Sequence, residues 1–354
     1  MASLGEHRIL MEEEQMERMA TSATVSLSSL NLQEAGSLAS SVQAVEIETP
    51  YGPLHVTVQG DRHKPGIVTC HDLGFNHCSN FMSFLAQPVM ASLSESFCWY
   101  HIDIPGQEPD ADQLPDDYTF PTMTQISEQV EYMADHFQLA SLIGFGVGCG
   151  ADVLARYAML CPSRVRGLIL VNPSLQGPDW ISSTWLFSKL AVWLMKGRQM
   201  EDGVHPLALS SLLNHSLGPG ASGEAARIFR DSVSCQDPHN LSLLLHSFLS
   251  RSTIATEFAL AARCDCLLVV SGNFQGKTEL VNLVSHMEVN RATLLEVPST
   301  SGLVLLEEPG KVATALCYFL QGLGLIPTHS SPLLHPSPPV LSLQTPPLPL
   351  QSAA

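Results

Sequence analysis

The chain has 354 residues, of which 45% are hydrophobic and 14% are charged. A chain near ~300 residues buries about 75% of its unfolded surface, so this one can form a substantial core. Its 34 acidic residues outnumber its 17 basic ones and leave a net charge of −17. This balance argues against nucleic acid as a partner, because phosphate binding needs Lys and Arg. It also argues against docking by charge on an anionic membrane.

Nine cysteines are scattered along the chain without the spacing of a disulfide framework. This usage is typical of a reducing compartment, the cytosol or the nucleus. The first residues are acidic where a signal peptide is basic and then apolar. No apolar run reaches the ~18 residues that a transmembrane helix needs. We therefore expect a cytoplasmic protein without a transmembrane segment.

Taken in chain order, residues 1–43 are predicted to be a disordered head, rich in Glu and then in Ser and Thr. A folded domain is expected over residues 44–326. Residues 327–354 contain eight prolines and no charged residue. Such a tail should be extended and disordered, partly in the polyproline II conformation.

The folded domain starts with a hairpin pattern, VEIET followed by LHVTVQG. Short apolar runs then predict strands at 66–70, 97–104, 141–145, 167–171, 266–270 and 292–297. Helical patterns separate most of them, at about 79–93, 122–138, 148–161, 276–289 and 309–321. Residues 175–262 hold no convincing strand and indicate a helical cap, with segments such as Trp180–Lys196. The pattern predicts an α/β fold with a mostly parallel central sheet, flanked by helices and carrying a helical cap insertion.

The stretch Gly144-Phe145-Gly146-Val147-Gly148 has the spacing of a G-x-S-x-G nucleophile elbow. Its central residue is Gly146, which offers no attacking atom and relaxes the strained turn. A dinucleotide fingerprint also fits Gly146, Gly148 and Ala151. The next strand, however, ends without the acidic residue that would bind a ribose. No cofactor is therefore expected.

The other two residues of a Ser-His-Asp type triad are also missing from their predicted places. Asn273 stands where the acid should follow a late strand, and Gly302 or Leu303 stands where the base should follow the last one. The loop after the third strand, His71-Asp72-Leu73-Gly74, partly preserves the oxyanion side. The sequence predicts a vestigial pocket made of His71, Asp72, Gly74, Gly146 and Val147.

One cluster of residues and one single cysteine each have two competing interpretations. His71, Asp72 and His77, with Cys70 and Cys78, do not have zinc-site spacing, so a hydrogen-bonded loop is favoured over a metal site. Cys149 begins a predicted helix, where the helix N-terminus would lower the pKa of its thiol. It is the best surrogate nucleophile, although packing between helix and sheet is the favoured interpretation.

Several motifs in the right order resemble the N-myc downstream-regulated (NDRG) family. They are ETPYGPLHVTVQG, HDLGFNH, HIDIPGQE, IGFGVGCGADVLARYA, GLILVNPSLQGPDW, NLSLLLHSFLSR, LLVVSGN and YFLQGLGLIPT. The resemblance implies an α/β-hydrolase fold without hydrolase activity, in a mostly cytoplasmic protein tied to differentiation, growth control and stress signalling. Two features depart from the family. Asn273 replaces the Asp of several members, and the tail lacks the Arg residues of their kinase-regulated tails.

The resulting hypothesis is a non-enzymatic adaptor or signalling protein that acts through protein partners. Peripheral association with a membrane through those partners stays open. The alternatives are a ligand sensor that uses the vestigial pocket and a hydrolase that has relocated its nucleophile to Cys149.

Overall fold

A computed structural model describes residues 42–177, 204, 206–218, 222–288, 290–298 and 301–327. The predictions for residues 1–41, for the cap segment Trp180–Lys196 and for residues 328–354 lie outside these ranges. The first strand begins at Val42, inside the predicted head.

The strands form one eight-stranded sheet in the spatial order β1-β2-β4-β3-β5-β6-β7-β8. They are β1 (Val42–Ile47), β2 (Leu54–Gln59), β3 (Gly66–Cys70), β4 (Cys98–Asp103), β5 (Leu142–Val147), β6 (Val165–Val171), β7 (Asp265–Ser271) and β8 (Ala292–Val297). β2 is antiparallel to β4, and each neighbouring pair from β4 to β8 is parallel. The carboxyl ends of these parallel strands therefore share one edge of the sheet.

Helices connect the strands and cover both faces of the sheet. Within the described residues they are α1 (Ser83–Leu85), α2 (Ala91–Ser96), α3 (Met123–His136), α4 (Cys149–Leu160), α5 (Pro206–Leu217), α6 (Gly223–Ser234), α7 (Pro238–Leu249), α8 (Ala255–Ala261), α9 (Lys277–His286), α10 (Val304–Glu307) and α11 (Pro309–Gly322). The helices α5 to α8 lie between β6 and β7, where the sequence predicts the cap. The structure confirms the predicted architecture.

Two hydrophobic cores lie on opposite faces of the sheet. Along β6, Leu168 and Leu170 belong to the core that includes α3, α4 and cap helices. Ile169 and Val171 belong to the second core, which includes α2, α10 and α11. Successive side chains of a strand point to opposite faces. The alternation thus explains why this strand is an unbroken apolar run.

The predicted helix at 79–93 is wrong as a single element. Residues Cys78–Met82 form a π-helical turn that leads into α1, and Pro88–Met90 form a 3₁₀ turn that leads into α2. Pro88 has no backbone N–H, and its ring disfavours a helical conformation in the preceding residue. Gln87 is accordingly extended, with ψ of 139°.

The cap is held to loops at the carboxyl edge of the sheet by hydrogen bonds. Ser232 of α6 donates through its hydroxyl to the carbonyl of Gly74 at 2.8 Å. Asn240 of α7 donates to the carbonyl of Gly106 at 3.1 Å and accepts from the N–H of Leu114 at 2.8 Å. Because the Asn240 side chain is fully buried, these contacts fix the cap over the strand ends.

Candidate functional site

The turn from β5 into α4 lies at Gly148, two residues later than the sequence predicts. Gly148 has φ of +50° and ψ of −106° and precedes the first residue of α4. Gly146, the predicted centre of the elbow, is instead a paired residue inside β5. Positive φ is costly for residues other than Gly, and the nucleophile of an α/β-hydrolase lies on such a strained turn from strand to helix. Because the turn here is at Gly148, this is the position equivalent to a nucleophile, and it has no side chain.

Two further glycines let the strand and helix approach each other. A Cβ atom on Gly146 would lie 2.6 Å from the backbone nitrogen of Ala151. A Cβ atom on Gly150 would overlap the carbonyl oxygen of Cys70. The elbow spacing thus belongs to residues 146, 148 and 150. The same spacing at 144, 146 and 148 misled the sequence prediction, which ended β5 too early.

The Asp72 carboxyl group occupies the space in front of Gly148. Its Oδ1 accepts hydrogen bonds from the backbone N–H groups of Leu73 and Cys149, both at 2.8 Å. In α/β-hydrolases, the N–H after the nucleophile and one from the loop after the third strand form the oxyanion hole. A Cβ atom on Gly148 would overlap this carboxyl group. Asp72 therefore fills both the oxyanion hole and the place of a nucleophilic side chain.

Burial controls the charge of this carboxyl group. Burial raises the pKa of Asp72 to about 6, against the hydrogen bonds from Cys149 and Leu73 and the positive charge of Arg251. Near neutral pH the group is therefore mostly an anion that two backbone donors hold. An oxyanion from a substrate would have to displace it.

Cys149 does not have the electrostatics of a nucleophile. Its thiol is fully buried, and burial, followed by the negative charge of Asp72, raises its pKa well above the usual range. The sequence predicts the opposite direction from the helix N-terminus. That prediction is wrong because desolvation and a neighbouring carboxylate outweigh the dipole. The packing interpretation of Cys149 is the one that fits.

His71 is a structural residue held in one tautomer. Its Nε2 accepts from the N–H of Ile104 at 3.1 Å, so Nδ1 carries the proton and donates to the carbonyl of Asp72 at 2.9 Å. Burial lowers the pKa of His71 and keeps the ring neutral. The ring thereby fixes the backbone of the loop that presents Asp72.

The predicted acid and base positions both border the end of α5. Asn273 donates through its side chain to the carbonyl of Leu217 at 2.9 Å. A Cβ atom on Gly302 would lie 2.7 Å from the carbonyl oxygen of Ser216, and Gly302 has φ of +83°. The neighbouring Leu303 has an aliphatic side chain that cannot move a proton. These positions hold the cap in place with groups that neither donate nor accept catalytic protons.

Asn172 is a site residue that the sequence reasoning missed. It follows β6 directly with φ of +45°. Its Oδ1 accepts from the N–H of Ser271 at 2.9 Å, and its Nδ2 donates to the carbonyl of Gly302 at 3.0 Å. Asn172 therefore joins the ends of β6 and β7 to the loop after β8. The sequence signal that could have identified this residue is an Asn directly after a strand, because Asn adopts a positive φ more readily than most residues.

A buried ion network connects α4 with the cap, and it too escaped the sequence reasoning. Asp152 accepts from Nε of Arg156 at 2.7 Å, and its Oδ1 lies 3.7 Å from Nε of Arg251. The Arg251 guanidinium also lies 3.5 Å above the centre of the Phe248 ring. Arg251 therefore places a positive charge near both Asp152 and Asp72.

The remaining predicted pocket residues are used in packing. Gly74, with φ of +77°, packs against Phe229 and Val233 of the cap, and a Cβ atom there would lie 2.8 Å from Val233. Val147 is 9% exposed and belongs to the second hydrophobic core. Gly74 thus allows the cap to approach the loop that carries Asp72.

Three features of the described residues concern metal ions, cavities and membrane spans. Within these residues, no group of three or more His, Cys, Asp or Glu side chains is arranged to hold a metal ion. A cavity of about 410 Å³ lies between the first residues of β7 and β8 and helix α11, lined by Arg291 and Tyr318. It opens at the amino ends of the strands, away from Gly148. No helix in the described part of the chain is long and apolar enough to span a bilayer.

Several solved structures with the same architecture are hydrolases. A thermophilic esterase from Thermogutta terrifontis superimposes with a TM-score of 0.65 at 14% identity, over 79% of this chain and 99% of that one. A hydrolase from Pseudomonas aeruginosa PA01 gives a TM-score of 0.62 at 18% identity, over 78% of this chain and 98% of that one. The protein therefore has the α/β-hydrolase fold, as the sequence predicts.

Comparison of sequences identifies the family. "Protein NDRG4-B" from Xenopus laevis is 33% identical over 294 residues, which are 80% of this chain and 77% of the relative. "Protein NDRG3" from Xenopus laevis is 34% identical over 304 residues, 81% of this chain and 77% of that one. A sequence profile of the Ndr family matches residues 44–327. The predicted resemblance is confirmed, and this protein belongs to the Ndr family.

Proposed function

We propose that this protein is a non-enzymatic adaptor on an α/β-hydrolase scaffold, acting in the cytoplasm through protein partners. The processes that family resemblance suggests are differentiation, growth and stress signalling. One observation carries the proposal. The nucleophile position is Gly148, and the Asp72 carboxylate occupies the space and both backbone donors that acyl transfer would use.

The acid and base positions support the same proposal. Acyl transfer depends on nucleophile, base and acid acting as a unit. Asn273 and Gly302 cannot relay a proton, and their contacts hold the end of α5 instead. The scaffold therefore offers a rigid surface, whose cap is fixed to the sheet by buried hydrogen bonds.

The first test is turnover of a panel of aryl esters and thioesters by the full chain. Wild type and the Asp72→Asn variant should both be indistinguishable from a blank without protein. Turnover by wild type that Asp72→Asn changes would overturn the proposal, because it would place chemistry at this site. A contaminating esterase would give the same turnover in both samples, so the two proteins serve as matched controls for each other.

A second test concerns the partners. Quantitative capture from cells should compare the full chain with a chain that ends at Thr328. We expect the same protein partners to remain with the shorter chain, because the folded domain is the adaptor. Loss of every partner on truncation would assign recognition to the tail and contradict this proposal.

The alternative functions receive no support from the site. A ligand sensor needs an open vestigial pocket, whereas the Asp72 carboxyl group and cap residues fill the space around Gly148 and Gly74. A relocated nucleophile at Cys149 needs an accessible thiolate, whereas this thiol is buried and its pKa is raised.

A further inference from the structure

A second cluster lies beside the closed site, at the end of β4. Cys78 is one of two exposed thiols among the nine cysteines, the other being Cys235. The Sγ atom of Cys78 lies 3.3 Å from Nε2 of His77. On the other side of the ring, Nδ1 of His77 lies 2.5 Å from Oδ2 of Asp103. A thiol, an imidazole and a carboxylate are thus connected in one line.

The imidazole in this line is held rigidly. The backbone N–H of His77 donates to Oδ1 of Asp103 at 2.7 Å, so both carboxylate oxygens bind the same residue. His77 and Asp103 are both buried, whereas Cys78 is exposed. The carboxylate therefore fixes the orientation of the ring, and the other ring nitrogen faces a thiol that solvent can reach.

The charges around His77 favour an imidazolium. Burial opposes the charged ring, but the hydrogen bonds to Asp103 and Cys78 outweigh it and raise the pKa of His77 to about 10. His101 stacks on His77 with ring centres 5.6 Å apart. Burial and the charge of His77 lower the pKa of His101 to about 3. Burial also keeps His71 neutral, so Asp103 faces one cationic ring.

We propose that Cys78 is a reactive thiol, activated by His77 and oriented by Asp103, which hydroperoxides oxidise to a sulfenic acid. A cationic imidazole stabilises a neighbouring thiolate, which is the reactive form of cysteine. Accessible cysteines with thiolate character are the ones that peroxides oxidise. Cys78 is exposed and its sulfur lies 3.3 Å from Nε2 of His77, and no part of the proposed adaptor function uses it.

The oxidation step is balanced without any further reagent. The Cys78 thiolate attacks the terminal oxygen of the hydroperoxide, so an S–O bond forms while the O–O bond breaks. Sulfur is oxidised, and the departing oxygen is reduced to an alkoxide, or to hydroxide for hydrogen peroxide. His77 donates its Nε2 proton to that oxygen, which leaves as an alcohol or as water.

A peroxide fits this site better than an acyl donor does. Acyl transfer needs donors for a tetrahedral oxyanion, and the fold's two backbone donors are occupied by Asp72. Peroxide reduction needs only a thiolate and a proton for the leaving oxygen. The modified residue would also lie next to Ser79, whose hydroxyl contacts Ser232 of the cap at 3.1 Å.

The test is oxidation of the full chain with hydrogen peroxide, with dimedone as the trap for sulfenic acid and peptide mass spectrometry as the readout. Cys235 is the internal control. We expect Cys78 to be trapped at least ~10-fold faster than Cys235 near neutral pH, because a cationic imidazole next to a sulfur stabilises the thiolate that attacks the peroxide. The His77→Asn variant should bring the rate at Cys78 down to that of Cys235.

The wild-type protein keeps the proposal testable if His77→Asn fails to fold, because Cys78 and Cys235 are compared within the same sample. Equal rates of trapping at the two cysteines would overturn the proposal. Retained fast oxidation in a folded His77→Asn variant would equally exclude activation by His77.

Discussion

Asp72 is the residue that closes the vestigial site, and it does so with a group that is costly to bury. Its carboxylate satisfies two backbone N–H groups that would otherwise face the space in front of Gly148. An unsatisfied buried N–H costs about 1–3 kcal/mol. The internal carboxylate thus replaces the oxyanion that an active hydrolase would bind only during reaction.

The charge of Asp72 predicts how stability depends on pH. Its pKa of about 6 in the folded protein lies above about 3.9 in an unfolded chain, so the folded state binds the proton more tightly. The contribution to the free energy of unfolding is complete below pH ~4. It is lost as pH rises through about 6, by roughly 3 kcal/mol.

Asp72→Asn should remove this contribution, since the amide oxygen can still accept from both N–H groups without titrating. Urea unfolding at several pH values between about 4 and about 7 measures the effect. The variant should gain stability over wild type as pH rises, whereas the exposed control Asp116→Asn should follow wild type. Parallel curves for wild type and Asp72→Asn would contradict the assignment.

Gly146 predicts a second outcome at the scale of single residues. Gly146→Ser would restore a G-x-S-x-G sequence yet place Cβ 2.6 Å from the backbone of Ala151. We expect a loss of about 1–3 kcal/mol in the free energy of unfolding, as in other overpacked cores. Gly310→Ala is the control, because a Cβ atom there would meet no atom within 4 Å apart from its chain neighbours and the backbone of its own helix. Urea unfolding measures the free energy of unfolding of both variants. Equal stability of the two variants would refute the close approach of Gly146 to the backbone of Ala151.

At the scale of elements, the junction of β5 and α4 shows what the sequence could predict. The apolar run after Ser141 identifies the strand, and the helical pattern after it identifies the helix. The register of the turn depends on which glycine meets Ala151 and which meets Cys70. Those contacts are made across the turn or between residues far apart in the chain. The glycine spacing alone therefore fits the elbow motif in two ways, centred on residue 146 or on residue 148.

The sequence could not predict, for a related reason, that the Asp72 carboxyl group fills the site. Asp72 and Cys149 are 77 positions apart, and only the parallel pairing of β3 with β5 brings their loops together. The sequence analysis placed His71, Asp72 and Gly74 in a vestigial pocket. It did not predict that the Asp72 side chain fills this space, because a motif does not reveal where its own side chains point.

The anchoring of the cap by α7 makes a prediction for this element. Asn240→Ala would remove hydrogen bonds to Gly106, Asp112 and Leu114 from a fully buried position. The free energy of unfolding should fall by about 2–4 kcal/mol. Limited proteolysis should cut the segment 107–117 faster. The exposed control Asn282→Ala should change stability by less than about 0.5 kcal/mol, and an equal effect in both would contradict the anchoring.

At the scale of the whole molecule, the apolar runs were sufficient to predict the layered architecture. The runs that form β3 to β7 are almost entirely buried, so their length and flanking turns identified strands without knowledge of their partners. The run that forms the edge strand β8 is only partly buried. The order of the strands was not predicted, because it depends on contacts between residues that are far apart in the chain. The broken helix around Pro88 shows the limit of such patterns, because the apolar spacing continues through a residue that cannot extend a helix.

The extent of the stable unit can be tested directly. Among the described residues, those of both hydrophobic cores lie between Val45 and Ile326, and the family profile matches almost the same range. A chain of residues 43–327 should therefore unfold with a midpoint within about 2 °C of the full chain, because a loss of 1 kcal/mol would shift it by about 2–4 °C. Differential scanning calorimetry at matched concentration measures both midpoints. A midpoint lower by more than about 4 °C would assign a stabilising role to residues outside this range and would contradict a folded domain that ends near residue 326.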